Sequence, residues 1–483
     1  MENEKKYNVR NIVLTILCRI LEEKVPSHIA IAEGLDKYSD MAKEDRAFVK
    51  LLCMGTVERV ITLDDVIDEY SKTPTNKQKP VIRNILRMGV YQILFMNVPD
   101  SAACNEAVKL AKKRGFTGLS GFVNGILRNV VTHKDEISVR FGERADISEN
   151  EQNAESAEKL YSEKYSLPEW IIKRYICRFG RDKALRAFEY FLKKSTTQIR
   201  CNISKISPEK LKDLLEENNI SVVNLNSDGK YSQEIVHASQ KCMTISGYDN
   251  LSSIQAFKDG LFTIQDFSSV MAGEILDKKM LEEYVSETYC SSLWSRQEAE
   301  HYPALEIIDI CAAPGGKTLN MADRLKAEGF KAHFTACDVS EYKLNKIREN
   351  VERCGFDNID PVISDGTVFN PHFENKFDIM IADVPCSGLG VIGRKPDIKL
   401  NASPEGIKNL VILQRNILDN AARYLKKNGL MIYSTCTIGT DENEDNVGYL
   451  EQKGFKCLEM KQICPGEYDS DGFFYALMKK ISD

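Results

Sequence analysis

At 483 residues the chain is longer than one hydrophobic core usually organises, so roughly two to four domains are expected. With 43% hydrophobic and 28% charged residues it excludes global disorder, and no run approaches the ~18 apolar residues of a membrane span. A net charge of −6 excludes a protein that coats nucleic acid indiscriminately.

The opening MENEKKYNVRNIVLTILCRIL has its apolar residues at helical spacing and lacks the apolar core and cleavage site of a signal peptide, so a cytoplasmic chain is expected. The 14 cysteines fall singly, with no CxxC pair and no Cys/His quartet at metal spacing. Neither a disulfide framework nor a metal is therefore expected, and a given cysteine is a small buried apolar residue unless its neighbourhood is special.

Residues 1 to 138 read as an all-helical bundle, with three-and-four spacing in VRNIVLTILCRILEEK, DRAFVKLLCMGTVERVITLDDVIDEY, PVIRNILRMGVYQILFM and GLSGFVNGILRNVV. TPTNKQKP and NVPDSA break it. Residues 139 to 164 are polar and acidic, a linker or exposed helix. Residues 165 to 256 read as a small α+β domain: a basic helical stretch, the strand TQIRCNIS, a helix capped by Ser207 with Pro208 in its first turn, and the strand ISVVNLN.

Charge is uneven along this path. Between Tyr165 and Lys205 there are ten Lys or Arg against three acids, among them Lys173, Arg174, Arg178, Arg181, Lys183, Arg186, Lys193 and Lys194. Lys109, Lys112, Lys113 and Arg114 form a second cluster. One such cluster is usually a solvated helix face, but two on an acidic protein point to a polyanion bound locally.

From 257 to 483 apolar strands alternate with helices: EIIDIC, HFTACD, DPVI, FDIMIAD and GLMIYS, with helical segments 317 to 328, 340 to 354 and 406 to 426. That pattern predicts an α/β domain with a parallel sheet buried on both faces, whose ligands collect at the carboxyl ends of the strands.

Chemistry-bearing residues fall at those ends. DICAAPGGKT places a Gly-rich turn (Cys311, Ala312, Ala313, Pro314, Gly315, Gly316, Lys317) at a helix start, where backbone N–H groups receive an anion. The spacing is neither a phosphate loop nor GxGxxG, and a tight turn without bulky side chains suits a large ligand with a carboxylate, such as S-adenosylmethionine. Asp338 is placed to accept ribose hydroxyls, and Asp365 an adenine amino group. Each acid alone is a helix cap about half the time; four successive strand ends so marked are not.

Asp383 ends the fourth strand, followed by Cys386 in D-x-P-C-S-G, and Cys436 follows the fifth in S-T-C-T. In a sheet ordered 3-2-1-4-5 both sulfurs face one pocket, where helix N-termini and cations such as Arg394 or Lys395 would lower a thiol pKa. A thiolate, an acid and a methyl donor together suit cytosine C5 methylation: the thiolate adds at C6, Asp383 bonds the ring, and a base later removes the C5 proton. One cysteine attacks and the other assists release, in an order that the residues alone leave open.

DICAAPGGKT, Asp338, Asp365, ADVPCSGLG, GRKPDIK, QRNIL and GLMIYSTCT followed by Glu442-Asn443 resemble the RNA 5-methylcytosine methyltransferases of the NOP2/Sun family. The resemblance implies a Rossmann-like class I methyltransferase domain using S-adenosylmethionine, with Cys436 as nucleophile and Cys386 aiding product release. RMGVYQILFMNVPDSAACNEAVKLAKKRG and FVNGILRNV resemble the closing helices of the NusB fold. The three-part arrangement implies 16S ribosomal RNA as partner, at cytidine 967 in the usual rRNA numbering. From the charge pattern, Lys173, Arg174 and Arg178 are expected to hold the RNA and Arg394 and Lys395 to grip phosphates near the site. A monomer is expected, with no membrane or DNA partner. Two rival readings are a sister enzyme acting on another ribosomal or transfer RNA cytidine, and a non-catalytic RNA-binding scaffold. Two departures from the family pattern are an insertion at 277 to 304 and IKL at 398 to 400.

Overall fold

The computed structural model describes residues 7–141, 154–193, 196–225, 233–289 and 303–482. The chain divides into two compact units, Met1–Lys193 with Ile392–Ala402, and Lys194–Val391 with Ser403–Asp483.

The first unit is all helical. Its apolar positions, recurring every three or four residues, fuse into one core that includes Val13, Leu17, Leu52, Leu86, Val90 and Leu127, all essentially inaccessible to solvent. Pro80 opens the helix Pro80–Phe95, where its missing N–H costs nothing, and Pro99 precedes Asp100–Lys113. The long pattern of residues 45 to 70 is two helices, Lys43–Glu58 and Val60–Glu69, divided at Arg59, whose ψ of 13° leaves the helical region.

Two expected boundaries differ from this arrangement. The basic helices Glu169–Phe179 and Arg181–Phe191 join the helical unit rather than the small sheet, because their apolar faces pack into an aromatic cluster of Tyr165, Tyr175, Phe188 and Phe191. The preceding helix Ala154–Tyr165 is tied to Val60–Glu69: the Thr62 hydroxyl donates to the Glu163 carbonyl, and the Ile61 amide to Ser166 Oγ. The expected linker thus contains ordered helix at its end, while its residues 142–153 lie outside the described residues, as does Lys194.

The second unit holds two sheets. The smaller comprises β1 (Thr197–Cys201), β2 (Ser221–Asn224), β3 (Cys242–Ser246) and β4 (Phe262–Ile264), antiparallel in the order β2-β3-β1-β4. It extends past the expected limit at 256, since β4 pairs with β1. Ser207 caps the helix Pro208–Glu217, accepting the Lys210 amide.

The larger sheet comprises β5 (Leu305–Asp309), β6 (Ala332–Asp338), β7 (Ile359–Ile363), β8 (Phe377–Asp383), β9 (Leu425–Thr435), β10 (Phe455–Ile463) and β11 (Phe473–Lys480). Their order is β10-β11-β9-β8-β5-β6-β7; β5 to β9 run parallel and the last two strands antiparallel. The parallel part has the expected 3-2-1-4-5 order; the apolar runs of β5, β6, β8 and β9 are buried as a two-faced sheet requires, whereas the edge strand β7 is largely half-buried or exposed, with Ile363 59% accessible.

A fully buried ion pair joins the sheets. Asp323, on the helix Gly316–Glu328, accepts Arg200 Nη1 of β1 at 3.2 Å and the amides of Ile203 and Ser204 at 2.8 and 2.9 Å. Breaking such a pair from one side costs about 3–5 kcal/mol, because a charge is left buried without its partner. Gly260 completes the joint: at φ 64° a Cβ there would stand 2.1 Å from the Arg353 carbonyl oxygen.

Of the expected insertion, the described part is the helix Lys278–Tyr289, whose Tyr284 and Tyr289 hydroxyls donate to buried Asp378 at the start of β8; residues 290–302 lie outside the described residues. Among the described residues no helix is long and apolar enough to cross a membrane.

Candidate active site

The site is assembled where β5, β6, β7, β8 and β9 end. After β5 the chain turns through Cys311 to Gly315, whose φ of 102° requires glycine, and enters the helix at Gly316. The first-turn amides of that helix face outward by the geometry of any helix start. Beneath the turn lies Asp309, which accepts the Thr318 hydroxyl at 2.6 Å. Burial pushes its carboxyl up to about 7, against the pull of Thr318. Asp309 is a site residue that sequence reasoning did not single out.

Asp338, at the end of β6, accepts the Ala313 amide at 3.1 Å and the Val339 amide at 2.8 Å, and pairs with Lys343 at 3.0 Å. It therefore braces the Gly-rich turn. The helix Glu341–Cys354 begins after Ser340 without a side-chain cap, so capping does not account for either residue. Asp365, exposed after β7, accepts the amide and hydroxyl of Thr367, and these bonds hold its carboxyl below the usual range. The donor set fits S-adenosylmethionine: carboxylates for ribose hydroxyls and an adenine amino group, and open amides with a small-residue turn for the methionine end. Cys311 is half-buried and its thiol is pushed up by burial, which makes it a wall rather than a nucleophile.

Asp383 and Ser434 are register partners on β8 and β9, and the Ser434 hydroxyl donates to Asp383 Oδ1 at 2.9 Å. Lys317 Nζ stands 2.5 Å from Asp383 Oδ2, with its cation 4.8 Å from the centre of the Phe473 ring. Both carboxylate oxygens are thus engaged and the group is oriented before any substrate arrives.

The two cysteines meet. Cys386 Sγ and Cys436 Sγ are 3.3 Å apart. The Gly390 amide donates to the Cys436 carbonyl at 3.0 Å, and a Cβ on Gly390 would lie 2.9 Å from that oxygen and 2.1 Å from the Gly472 carbonyl. Cys386 differs from the expected lowered pKa: the hydrogen bond with Cys436, burial and the negative charges of Glu442 and Asp383 push its thiol well up. Arg394 and Lys395 lie instead in the segment Ile392–Ala402 of the helical unit. There Lys395 is exposed, Asp397 is buried and bonded to Ser27 Oγ, and Lys399 is buried, donating to the Glu58 carbonyl. The IKL departure is thus an internal anchor of that unit.

Of the other basic residues, Lys173 is exposed and Arg174 and Arg178 are half-buried on Glu169–Phe179. In the second cluster Arg114 is committed to the Asn11 carbonyl and Thr15 Oγ1, leaving Lys112 and Lys113 as its exposed members besides Lys109, which pairs with Glu106.

A Gly-rich turn leading into a helix, with acids closing the next strands of a 3-2-1-4-5 sheet, defines a class I methyltransferase dependent on S-adenosylmethionine, here joined to a helical domain. Residues 296–479 match the family model for the 16S rRNA methyltransferase RsmB/F, and residues 7–132 match the NusB family. The C-terminal part of the chain is thus similar to the RsmB/F methyltransferases and its N-terminal part to the NusB family. It is 29% identical to a probable ribosomal RNA small subunit methyltransferase B of Bacillus subtilis (strain 168), over 99% of both chains. It is 28% identical to ribosomal RNA small subunit methyltransferase B of Proteus mirabilis (strain HI4320), over 98% of this chain and 99% of that one. The fold is shared with the crystal structure of PH0851 (TM-score 0.73, 23% identity, 99% of this chain and 100% of that one). It is also shared with NSun6 from Pyrococcus horikoshii with SFG (TM-score 0.50, 22% identity, 65% and 99%).

Proposed function

We propose that the protein methylates C5 of a cytidine in 16S ribosomal RNA, at position 967 in the usual numbering, through a covalent bond between Cys436 and C6 of the base. S-Adenosylmethionine supplies a methyl group on a positively charged sulfur. Cytosine C5 is a poor nucleophile, so the protein must activate it. The Cys436 thiolate adds to C6, forming the S–C6 bond and moving an electron pair onto C5. Asp383, oriented by Lys317 and Ser434, hydrogen-bonds the ring near N3 or the exocyclic amine, and a proton passed to N3 along that bond neutralises the negative charge that addition puts on the ring. Once C5 carries the methyl group, a base takes the C5 proton, the S–C6 bond breaks and the pair returns to the Cys436 sulfur. Cys386 assists that departure.

The observation that carries this reading is the 3.3 Å separation of the two sulfurs beside Asp383. The exposed cations Lys173 and Lys395, with Arg174, Arg178 and Arg394, are proposed to hold RNA phosphates. A loop cytidine suits this machinery, since freeing a base from its stack in such a context costs only a few kcal/mol.

The test is methyl transfer to a 16S rRNA transcript by the wild-type chain and by Cys436→Ala, with bisulfite sequencing to locate the product. Transfer by the wild type alone, at one cytidine, is expected. No transfer by either would mark an inert RNA-binding scaffold, and a product at a different cytidine or in transfer RNA would mark a sister enzyme.

A further inference from the structure

Glu442 sits in the acidic run TDENED, yet it is fully buried. Its Oε1 accepts the Ser387 amide at 2.8 Å and Gln414 Nε2 at 3.1 Å, and its Oε2 accepts the Ser387 hydroxyl at 2.5 Å. Gln414 Nε2 also donates to the Pro385 carbonyl at 2.9 Å. The residues on both sides of Cys386 are therefore held by one carboxylate and the amide bonded to it. Glu442 is itself fixed, because its backbone carbonyl accepts the Tyr433 hydroxyl and Asn446 Nδ2.

Cys436 is held by other means. It follows directly on β9, whose Ser434 and Thr435 pair with β11, and its carbonyl accepts the Gly390 amide. Besides the Gly390 bond and the contact between the sulfurs, one side-chain bond links the two sides: Ser387 Oγ lies 2.7 Å from Thr437 Oγ1. Loss of the Glu442 carboxylate would thus loosen the turn bearing Cys386 while leaving the strand end bearing Cys436 in place.

We propose that Glu442 is a positioning residue for the release step, holding Cys386 against Cys436 so that the methylated base leaves the Cys436 sulfur promptly. This rests on the proposed assignment of attack to Cys436 and release to Cys386. Glu442 acts through the Pro385–Ser387 turn. The expected signature is selective: attack is retained and departure slowed.

The experiment compares Glu442→Gln, Ser387→Ala and Cys386→Ser with the wild type on one RNA transcript. It reads the single-turnover rate of covalent adduct formation, the share of enzyme trapped as adduct at steady state by denaturing gel, and turnover. Glu442→Gln keeps size and one acceptor, and Ser387→Ala removes only a hydroxyl, so a folding failure in the first leaves the second to report. Expected are adduct formation within about twofold of wild type and a trapped share raised about tenfold in Glu442→Gln, from the loss of hydrogen bonds to a charged group. A smaller rise is expected in Ser387→Ala. An unchanged trapped share in both variants, or loss of adduct formation in folded Glu442→Gln, overturns the inference. If Cys386→Ser itself traps no adduct, the underlying assignment fails instead, and this inference with it.

Discussion

Lys317 Nζ and Asp383 Oδ2 stand 2.5 Å apart, an ion pair that ties the end of β8 to the helix opened by the Gly-rich turn. The elements proposed to hold the methyl donor and the base are thereby fixed to each other through one carboxylate. With Ser434 on the other oxygen, Asp383 is aimed without waiting for substrate, so its bond to the base forms without reorganisation.

Asp383→Asn keeps the shape and the Ser434 bond but removes the charge. Turnover of the folded variant should fall on the order of 10²-fold or more, alongside some loss of stability because Lys317 is left without its partner. Turnover near the wild-type value would remove Asp383 from the chemistry.

Asp309 gives a pH-dependent stability difference. Its folded pKa of about 7 lies above the unfolded carboxylate value of about 3.9, so the folded state resists ionising it. That costs nothing below about pH 4; the cost grows as pH rises toward 7 and is constant above, at no more than about 4 kcal/mol. Asp309→Asn, which can still accept the Thr318 hydroxyl, should gain stability over the wild type progressively between pH 4 and 7 in urea titrations. A difference independent of pH would contradict the assignment.

Charge reversal at Lys173, Arg174 and Arg178 should weaken RNA binding and flatten its salt dependence, by about 0.7–0.9 in log–log slope for each phosphate no longer neutralised. Filter binding at several salt concentrations measures both quantities. Unchanged affinity and slope would move the RNA elsewhere on the protein.

Much of this architecture was legible because its signals are local. The five parallel strands announce themselves as mostly apolar runs, and their order puts the Gly-rich turn, Asp338, Asp365, Asp383 and both cysteines on one edge. The closing strand pair was missed: β10 is an outer strand with Lys456, Leu458, Glu459 and Met460 exposed and so lacks a buried apolar run, whereas β11 has one in FFYALM that the sequence reading passed over. Nor did sequence reveal that the basic helices 169–191 belong with the helical unit, since an apolar stripe says that a helix packs but not on what. The burial of Glu442 and Asp309 was hidden for another reason: it depends on partners such as Ser387, Gln414 and Thr318 that only folding brings to them. The raised Cys386 thiol has the same origin, for its neighbours are Cys436, Glu442 and Asp383 rather than a cation.

The central claim is the division of labour between the two cysteines, and denaturing gels of each variant mixed with RNA and S-adenosylmethionine test it directly. Cys386→Ser should accumulate a covalent protein–RNA adduct, because attack proceeds and departure is slowed, whereas Cys436→Ser should form none. An adduct on Cys436→Ser and none on Cys386→Ser would reverse the roles and contradict the account.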